Sequence, residues 1–138
     1  MALNPPVVAQ MVEQTKSLLD LWMRVRLIFI KSFSTQPIGD DQEKAYLDLK
    51  GEIQRLYRVI SEELTPGLNF EGDKMMDTLK NAISMEQMRT QSASERQKYF
   101  AIWHQIYIRI TRTLGALEII HAGYYPHEHR ALIKGASK

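Results

Sequence analysis

Apolar residues recur along most of this chain at the three- and four-residue spacing of an α-helix. Prolines and glycines interrupt the spacing at only a few points, so the chain divides into four segments. The pattern predicts helices over about 5–34, 40–64, 73–91 and 94–123, a loop over 65–72 and a short tail over 124–138. Because long helices joined by short connections favour antiparallel neighbours, we predict a single all-α domain over 1–138, an antiparallel (up-down-up-down) four-helix bundle.

Capping signals mark the predicted helix ends. Asn4 is a good N-cap, and Pro5 follows it in the first helical position, where a missing N–H costs nothing. Asp40 is followed three residues later by Glu43, a capping-box pattern that opens the second helix. Gly123 is placed to end the fourth helix as its C-terminal glycine.

The first predicted helix is apolar around an unusually large part of its circumference. A bundle helix needs an apolar stripe only somewhat wider than ~100°. This helix exceeds that width, so it is either central in the domain or partly covered by another chain. Its apolar residues include Met11, Leu18, Leu19, Leu21, Trp22, Met23, Val25, Ile28, Phe29 and Ile30.

Arg26 falls inside that apolar arc. A charged side chain there must be paired or must reach solvent along its aliphatic stem. One interpretation is a buried ion pair with Glu86 of the third helix, and the other is an interface with another chain. The third helix adds two methionines that lie off its main apolar face. Together these features predict an interaction surface that contains Trp22, Arg26, Ile30, Met85 and Met88.

Composition changes this picture little. The chain has 138 residues, 44% hydrophobic and 25% charged, which suits one globular domain with one core. It contains no cysteine, which excludes disulfides and cysteine nucleophiles and favours a cytoplasmic location. We expect no signal peptide, because the first residues lack a basic region followed by an apolar run. No apolar run approaches the ~18–20 residues of a membrane span.

Positive charge is concentrated in the last third of the chain. The net charge is +2, yet eight Lys and Arg stand against three acids from Arg89 onward. A basic stripe can neutralise phosphates and bind nucleic acid without sequence preference, although a solvated charged face is the simpler interpretation. The candidate nucleic-acid or anion surface consists of Lys98, Arg109, Arg112, Arg130 and Lys134.

One pattern is typical of metal ligands. Glu118 and His121 form a Glu-x-x-His motif, and an up-down topology brings Glu63 to the same end of the bundle. These three residues are weak candidates for a metal site. Carboxylate-bridged bundles use two such motifs, and this sequence has one, so a structural histidine is the preferred interpretation. We therefore predict no bound metal and no cofactor.

No phosphate-binding loop, nucleophile elbow or His-Glu-x-x-His motif is present. The sequence thus favours a non-enzymatic interaction protein, which self-associates as a homo-oligomer or serves as a subunit or adaptor in a larger protein assembly. One alternative is an accessory nucleic-acid-binding protein that uses the basic face of the fourth helix and the tail. A second alternative is a metal-binding bundle enzyme that uses Glu118 and His121.

Overall fold

A computed structural model of the chain describes residues 5–62 and 72–123, most of which are helical, with no β-strand among them. The all-α prediction is therefore confirmed. In that part of the chain no helix is both long enough and apolar enough to cross a membrane. The predicted tail over 124–138 and most of the predicted loop over 65–72 lie outside the described residues. The helices are α1 (Pro5–Ser32), α2 (Asp40–Ser61), α3 (Gly72–Asn81), α4 (Met85–Arg89) and α5 (Ala93–His121).

The helices share one apolar core with α1 at its centre. α1 packs against α5, α2 and α4, while α3 packs against α5 and α2. This arrangement is compatible with a four-helix bundle in which α3 and α4 together replace one helix. The buried face of α1 repeats at helical spacing, which explains why the segment is helical and how it is oriented. Its apolar members are Val8, Met11, Val12, Leu18, Trp22, Val25 and Phe29.

The prediction of one continuous third helix over 73–91 is wrong, because the chain leaves the helix after Asn81 and starts another at Met85. Side chains of α2 satisfy the carbonyl groups exposed by the break. The Tyr46 hydroxyl donates to the carbonyl of Ala82 at 2.7 Å, and the Lys50 ammonium donates to that of Ile83 at 3.0 Å. The break therefore costs few unpaired backbone groups.

The start of α4 is capped from two sides. Ser84 adopts an extended conformation, and its hydroxyl accepts a hydrogen bond from the backbone N–H of Gln87 at 3.0 Å. The carboxylate of Glu43 on α2 accepts hydrogen bonds from the N–H groups of Met85 and Glu86, at 2.8 and 3.2 Å. A negative carboxylate at this position also complements the positive end of the short helix.

The capping box predicted for α2 is formed by other residues than expected, because Glu43 caps α4 instead. Gly39, not Asp40, is the N-cap residue of α2. The side-chain oxygen of Gln42 accepts a hydrogen bond from the Gly39 N–H at 3.0 Å, the contact that the sequence pattern assigned to Glu43. Glu43 is thereby released to cap a helix that lies more than forty positions further along the chain.

Arg89, at the end of α4, binds the C-terminus of α1. Its guanidinium donates to the carbonyl groups of Ser32 at 2.9 Å, Lys31 at 3.2 Å and Gln36 at 2.6 Å. Carbonyl groups in the last turn of a helix lack intrahelical partners and carry partial negative charge. Arg89 therefore supplies both the missing donors and a compensating positive charge.

α5 is bounded by two residues with capping conformations. The Ser92 hydroxyl accepts a hydrogen bond from the Glu95 N–H at 3.2 Å. At the other end Gly123 has a φ of 97°, in the left-handed region that glycine reaches without steric cost. The resulting helix spans 29 residues, from Ala93 to His121.

Candidate interaction surface

Two tryptophans join α1 to α5 in the core. The indole N–H of Trp22 donates to the carbonyl of Trp103 at 3.0 Å, and the indole N–H of Trp103 donates to the carbonyl of Trp22 at 2.7 Å. The two rings are nearly parallel, with centroids 6.4 Å apart. Because each buried N–H has a partner, the pair contributes apolar burial without leaving an unsatisfied donor. It fixes the rotation of α1 against α5.

The ring stack continues from this pair towards the surface. The half-buried ring of Tyr107 stacks on Trp103 with centroids 5.2 Å apart, and exposed His104 stacks on Tyr107 at 6.4 Å. The guanidinium of Arg26 lies over the Trp103 ring, 5.7 Å from its centroid. This geometry is a cation–π contact. Arg26 therefore stands at the solvent-exposed edge of the α1–α5 contact, supported by an aromatic ring.

An uncovered apolar stripe lies next to Arg26 on α1. Met23, Leu27 and Ile30 are 50%, 64% and 44% exposed. Their spacing of four and then three residues places them on one face of the helix, and half-buried Leu19 extends this face by one turn. Single exposed apolar residues are ordinary, whereas a contiguous group marks a contact surface. We call Met23, Leu27 and Ile30 the α1 stripe.

Charged residues border the α1 stripe unevenly. On the flank away from α5, Asp20 and Arg24 form an ion pair at 2.9 Å. One turn earlier, Glu13 and Lys16 are 3.9 Å apart. On the flank towards α5, Arg26 is exposed and forms no ion pair with any carboxylate of residues 5–62 or 72–123. The stripe thus has one flank with an ion pair and one flank on which the charge of Arg26 has no carboxylate partner among the described residues.

Only part of the predicted interaction surface lies on the outside of the chain. Arg26 and Ile30 are exposed, as the prediction requires. Trp22, Met85 and Met88 are at most 1% exposed, so their assignment to a surface is wrong. The break before α4 rotates both methionines into the core, and Trp22 is held against α5 by its paired ring.

The proposed ion pair between Arg26 and Glu86 is absent from the described structure. Arg26 contacts Trp103 instead. Glu86 is exposed, and its backbone N–H donates to Glu43. The pairing assumed that Glu86 continued a long third helix beside α1, and the break after α3 removes that register.

The candidate metal residues form no described cluster. Glu118 and His121 are both exposed at the end of α5, and Glu63 lies outside the described residues. Within residues 5–62 and 72–123, no group of three or more His, Cys, Asp or Glu side chains is arranged to hold a metal ion. The histidines of the tail, His127 and His129, are likewise outside the described chain.

The candidate basic residues are only partly described. Lys98 forms an ion pair with Glu95 at 3.2 Å, so part of its charge is compensated. Arg109 lines a shallow groove between α3 and α5 together with Lys74 and Gln105. Arg112 is exposed on α5. The other two members of this set, Arg130 and Lys134, belong to the tail and lie outside the described residues.

Two titratable groups with shifted pKa values, Tyr46 and Lys50, lie at the break between α3 and α4. Burial raises the pKa of the Tyr46 hydroxyl well above its ordinary value of 10.0, with smaller contributions from Tyr99 and Glu43. Burial lowers the pKa of Lys50, and the charge of Glu43 opposes that change. Lys50 also lies over the Tyr46 ring, 4.5 Å from its centroid. Both groups bond to backbone carbonyls, so their shifts follow from a structural role.

Comparisons with known proteins return no relationship for this chain. No protein-family model matches it, and neither the curated proteins nor the solved structures contain a significant match. Its function must therefore be argued from the described residues themselves.

Proposed function

We propose that this chain is a non-enzymatic interaction protein, a helical subunit or adaptor that holds another polypeptide on the α1 stripe. One observation carries the proposal. Met23, Leu27 and Ile30 form a contiguous apolar face on the central helix of the domain. Exposed apolar residues at i, i+4 and i+7 are the anchors of helix-to-helix recognition. Burying them against a partner would remove this apolar surface from water.

The surroundings of the stripe support the same function. Arg, Trp and Tyr are enriched among the residues that dominate binding energy at protein interfaces. Arg26, Trp103 and Tyr107 form a connected group beside the stripe. The paired tryptophans anchor this group in the core, which favours an orientation that is already set in the free chain. Such preorganisation lowers the entropic cost of association.

The proposal includes the antiparallel, up-down-up-down order of the bundle. Trp22 contacts Trp103, while Phe33, eleven positions further along the chain and directly after the end of α1, contacts Tyr99. The partner in α5 thus moves towards the start of that helix as α1 advances, which supports an antiparallel α1–α5 pair. In this arrangement the α1 stripe runs beside the first half of α5 and is left uncovered by α2, which supports its role as a docking surface.

Site-specific photo-crosslinking tests this function. A photo-crosslinking amino acid is placed at Leu27 in cells that naturally express the chain, and adducts are identified by mass spectrometry. Leu47 on α2 is the matched control, because it is the same residue type and is 66% exposed against 64% for Leu27. We expect one dominant polypeptide adduct at Leu27 and none at Leu47. Equal adducts at both positions, or none at Leu27, would contradict the proposal.

The two alternative functions stay predictions. A nucleic-acid-binding function requires a mobility shift at low salt that is lost on charge reversal at Arg109 and Arg112, because phosphate contacts release counterions. A metal-dependent function requires a stoichiometric ion in protein purified without an affinity tag, and that ion must be lost on substitution of Glu118 or His121.

A further inference from the structure

The exposed charge beside the α1 stripe restricts the kind of partner that fits. Arg26 has no carboxylate partner in the described chain, and the centre of its guanidinium lies over the Trp103 ring, 5.7 Å from the ring centroid. A cation–π contact attracts the positive charge but does not satisfy the N–H donors of the guanidinium, which remain available to an acceptor. Those donors are arranged to bind a carboxylate through two parallel hydrogen bonds. The surface thus offers three apolar anchors and one site for an acidic group.

A second copy of this chain does not satisfy that arrangement. A two-fold symmetric interface places the same patch on both subunits. When two antiparallel helices meet face to face across a two-fold axis, each flank of one helix lies beside the same flank of the other. The Arg26 flanks of both copies would therefore meet, and like charges placed together at an interface are costly. In a parallel two-fold pair the Arg26 flank would instead meet the flank of Asp20, whose carboxylate is already paired with Arg24.

We propose that the α1 stripe binds an acidic amphipathic helix from a different polypeptide, with a Glu or Asp of that helix paired to Arg26. This inference rests on the proposed function and names the class of partner. Apolar side chains of the bound helix pack on Met23, Leu27 and Ile30. Its carboxylate lies at the α1–α5 edge and pairs with the guanidinium that the Trp103 ring contacts.

Two synthetic peptides test this proposal directly. Each is a fluorescein-labelled helix of about 18 residues with leucines at i, i+4 and i+7. One carries Glu beside the leucine stripe, and its twin carries Lys at the same positions. Both are titrated against the purified full chain by fluorescence anisotropy. We expect the Glu peptide to bind at least about tenfold more tightly than the Lys peptide, a difference that shrinks at high salt.

Variants of the chain separate the contributions. Arg26→Glu should make the Lys peptide bind more tightly than the Glu peptide. Arg26→Gln should reduce the preference for the Glu peptide without reversing it. Leu27→Gln should weaken both peptides, whereas Leu47→Gln, the matched control on α2, should leave both unchanged. Circular dichroism establishes that each variant keeps its helical content. Because Arg26 and Leu27 are exposed, their substitution is not expected to unfold the chain.

Each remaining outcome overturns the proposal. Equal affinity for the two peptides, or an unchanged order in Arg26→Glu, would rule out the acidic partner. Binding to vesicles of phosphatidylglycerol and phosphatidylcholine, with no binding of either peptide, would assign the stripe to a lipid surface. If Leu27 crosslinks to a second copy or to a chain with no acidic helix, the proposed function stands and this inference fails. If Leu27 crosslinks to nothing, both fail.

Discussion

Trp22 of α1 and Trp103 of α5 are separated by 81 positions, and each donates its indole N–H to the backbone carbonyl of the other. This reciprocal pair connects the two longest helices of the chain. It also links the core to the surface, because the Trp103 ring supports Arg26 on its outer side. The orientation of the α1 stripe therefore depends on a buried contact that is not itself part of the stripe.

The reciprocal pair should show energetic coupling. Trp22→Phe and Trp103→Phe each remove one buried hydrogen bond and leave a small cavity, so each should lower the free energy of unfolding by about 1–3 kcal/mol. Urea denaturation of the two single variants and the double variant gives the coupling energy. We expect the double variant to lose less than the sum, by about 0.5–1.5 kcal/mol. Strict additivity would show that the two rings stabilise the chain independently.

Arg89 should stabilise the chain more than a surface arginine does. Arg89→Met removes three hydrogen bonds, two to the last residues of α1 and one to Gln36 beyond it, and should lower the free energy of unfolding by about 2–3 kcal/mol. Arg55→Met is the control, because Arg55 is exposed and its one ion pair within the described residues is with Glu52 at 2.9 Å. Its cost should stay below about 0.5 kcal/mol in the same denaturation experiment. Equal costs would contradict the capping role of Arg89.

The burial of the α4 methionines distinguishes the observed structure from the predicted continuous third helix. Met88→Ala empties a fully buried position and should lower the free energy of unfolding by about 2–4 kcal/mol. Ile83→Ala changes a side chain that is 66% exposed, and it should cost less than about 0.5 kcal/mol. If Ile83→Ala lowered the free energy of unfolding more than Met88→Ala, that result would support the uninterrupted third helix instead.

Tyr46 should make stability fall in alkaline solution. Its pKa is raised in the folded chain, so above pH 10 the unfolded chain loses the tyrosine proton while the folded chain keeps it. Folding then becomes less favourable as the pH rises, by up to about 1.4 kcal/mol per pH unit. Lys50 has a lowered pKa and therefore makes the opposite contribution. Below pH 10.5, the ordinary pKa of lysine, the folded chain loses the Lys50 proton before the unfolded chain does, so this group makes stability rise with pH.

Tyr46→Phe isolates the tyrosine contribution. At pH 7 the variant should be less stable than the wild type by about 1–2 kcal/mol, because the Ala82 carbonyl loses its donor. That difference should shrink between pH 10 and 11, since phenylalanine has no proton to release. Denaturation with guanidinium chloride at both pH values measures the change. A constant difference would show that Tyr46 titrates alike in the folded and unfolded chains.

Local sequence signals predicted much of the helical content but not the break in the third helix. Ser84 followed three residues later by Gln87 is an acceptable N-terminal signal, yet the surrounding apolar spacing also fits a continuous helix. The groups that decide between them are Tyr46, Lys50 and Glu43 of α2, which bond to backbone atoms about 33 to 43 positions away. Such contacts depend on tertiary packing, which local patterns do not contain.

The candidate surface was predictable only in outline. The excess apolar width of the first helix indicated either a central helix or a face covered by another chain. α1 is central among the described helices, and Ile30 and Arg26 of the predicted surface are exposed. Leu27 was missed, although its spacing from Met23 and Ile30 was readable in the sequence. Which sector of a wide apolar arc faces solvent depends on how α1 is rotated against α5, and that rotation is fixed by the tryptophan pair.

A crosslinking scan along α1 tests the central claim most directly. The photo-crosslinking residue is placed in turn at eight positions, and the adduct yield with the partner polypeptide is measured at each one. The yield should follow the helical period, with high values at residues 23, 27 and 30 and intermediate values at 19 and 26. It should be lowest at residues 20, 24 and 31, on the other flank. A flat profile, or a maximum at 20, 24 and 31, would contradict the assignment of the α1 stripe as the docking surface.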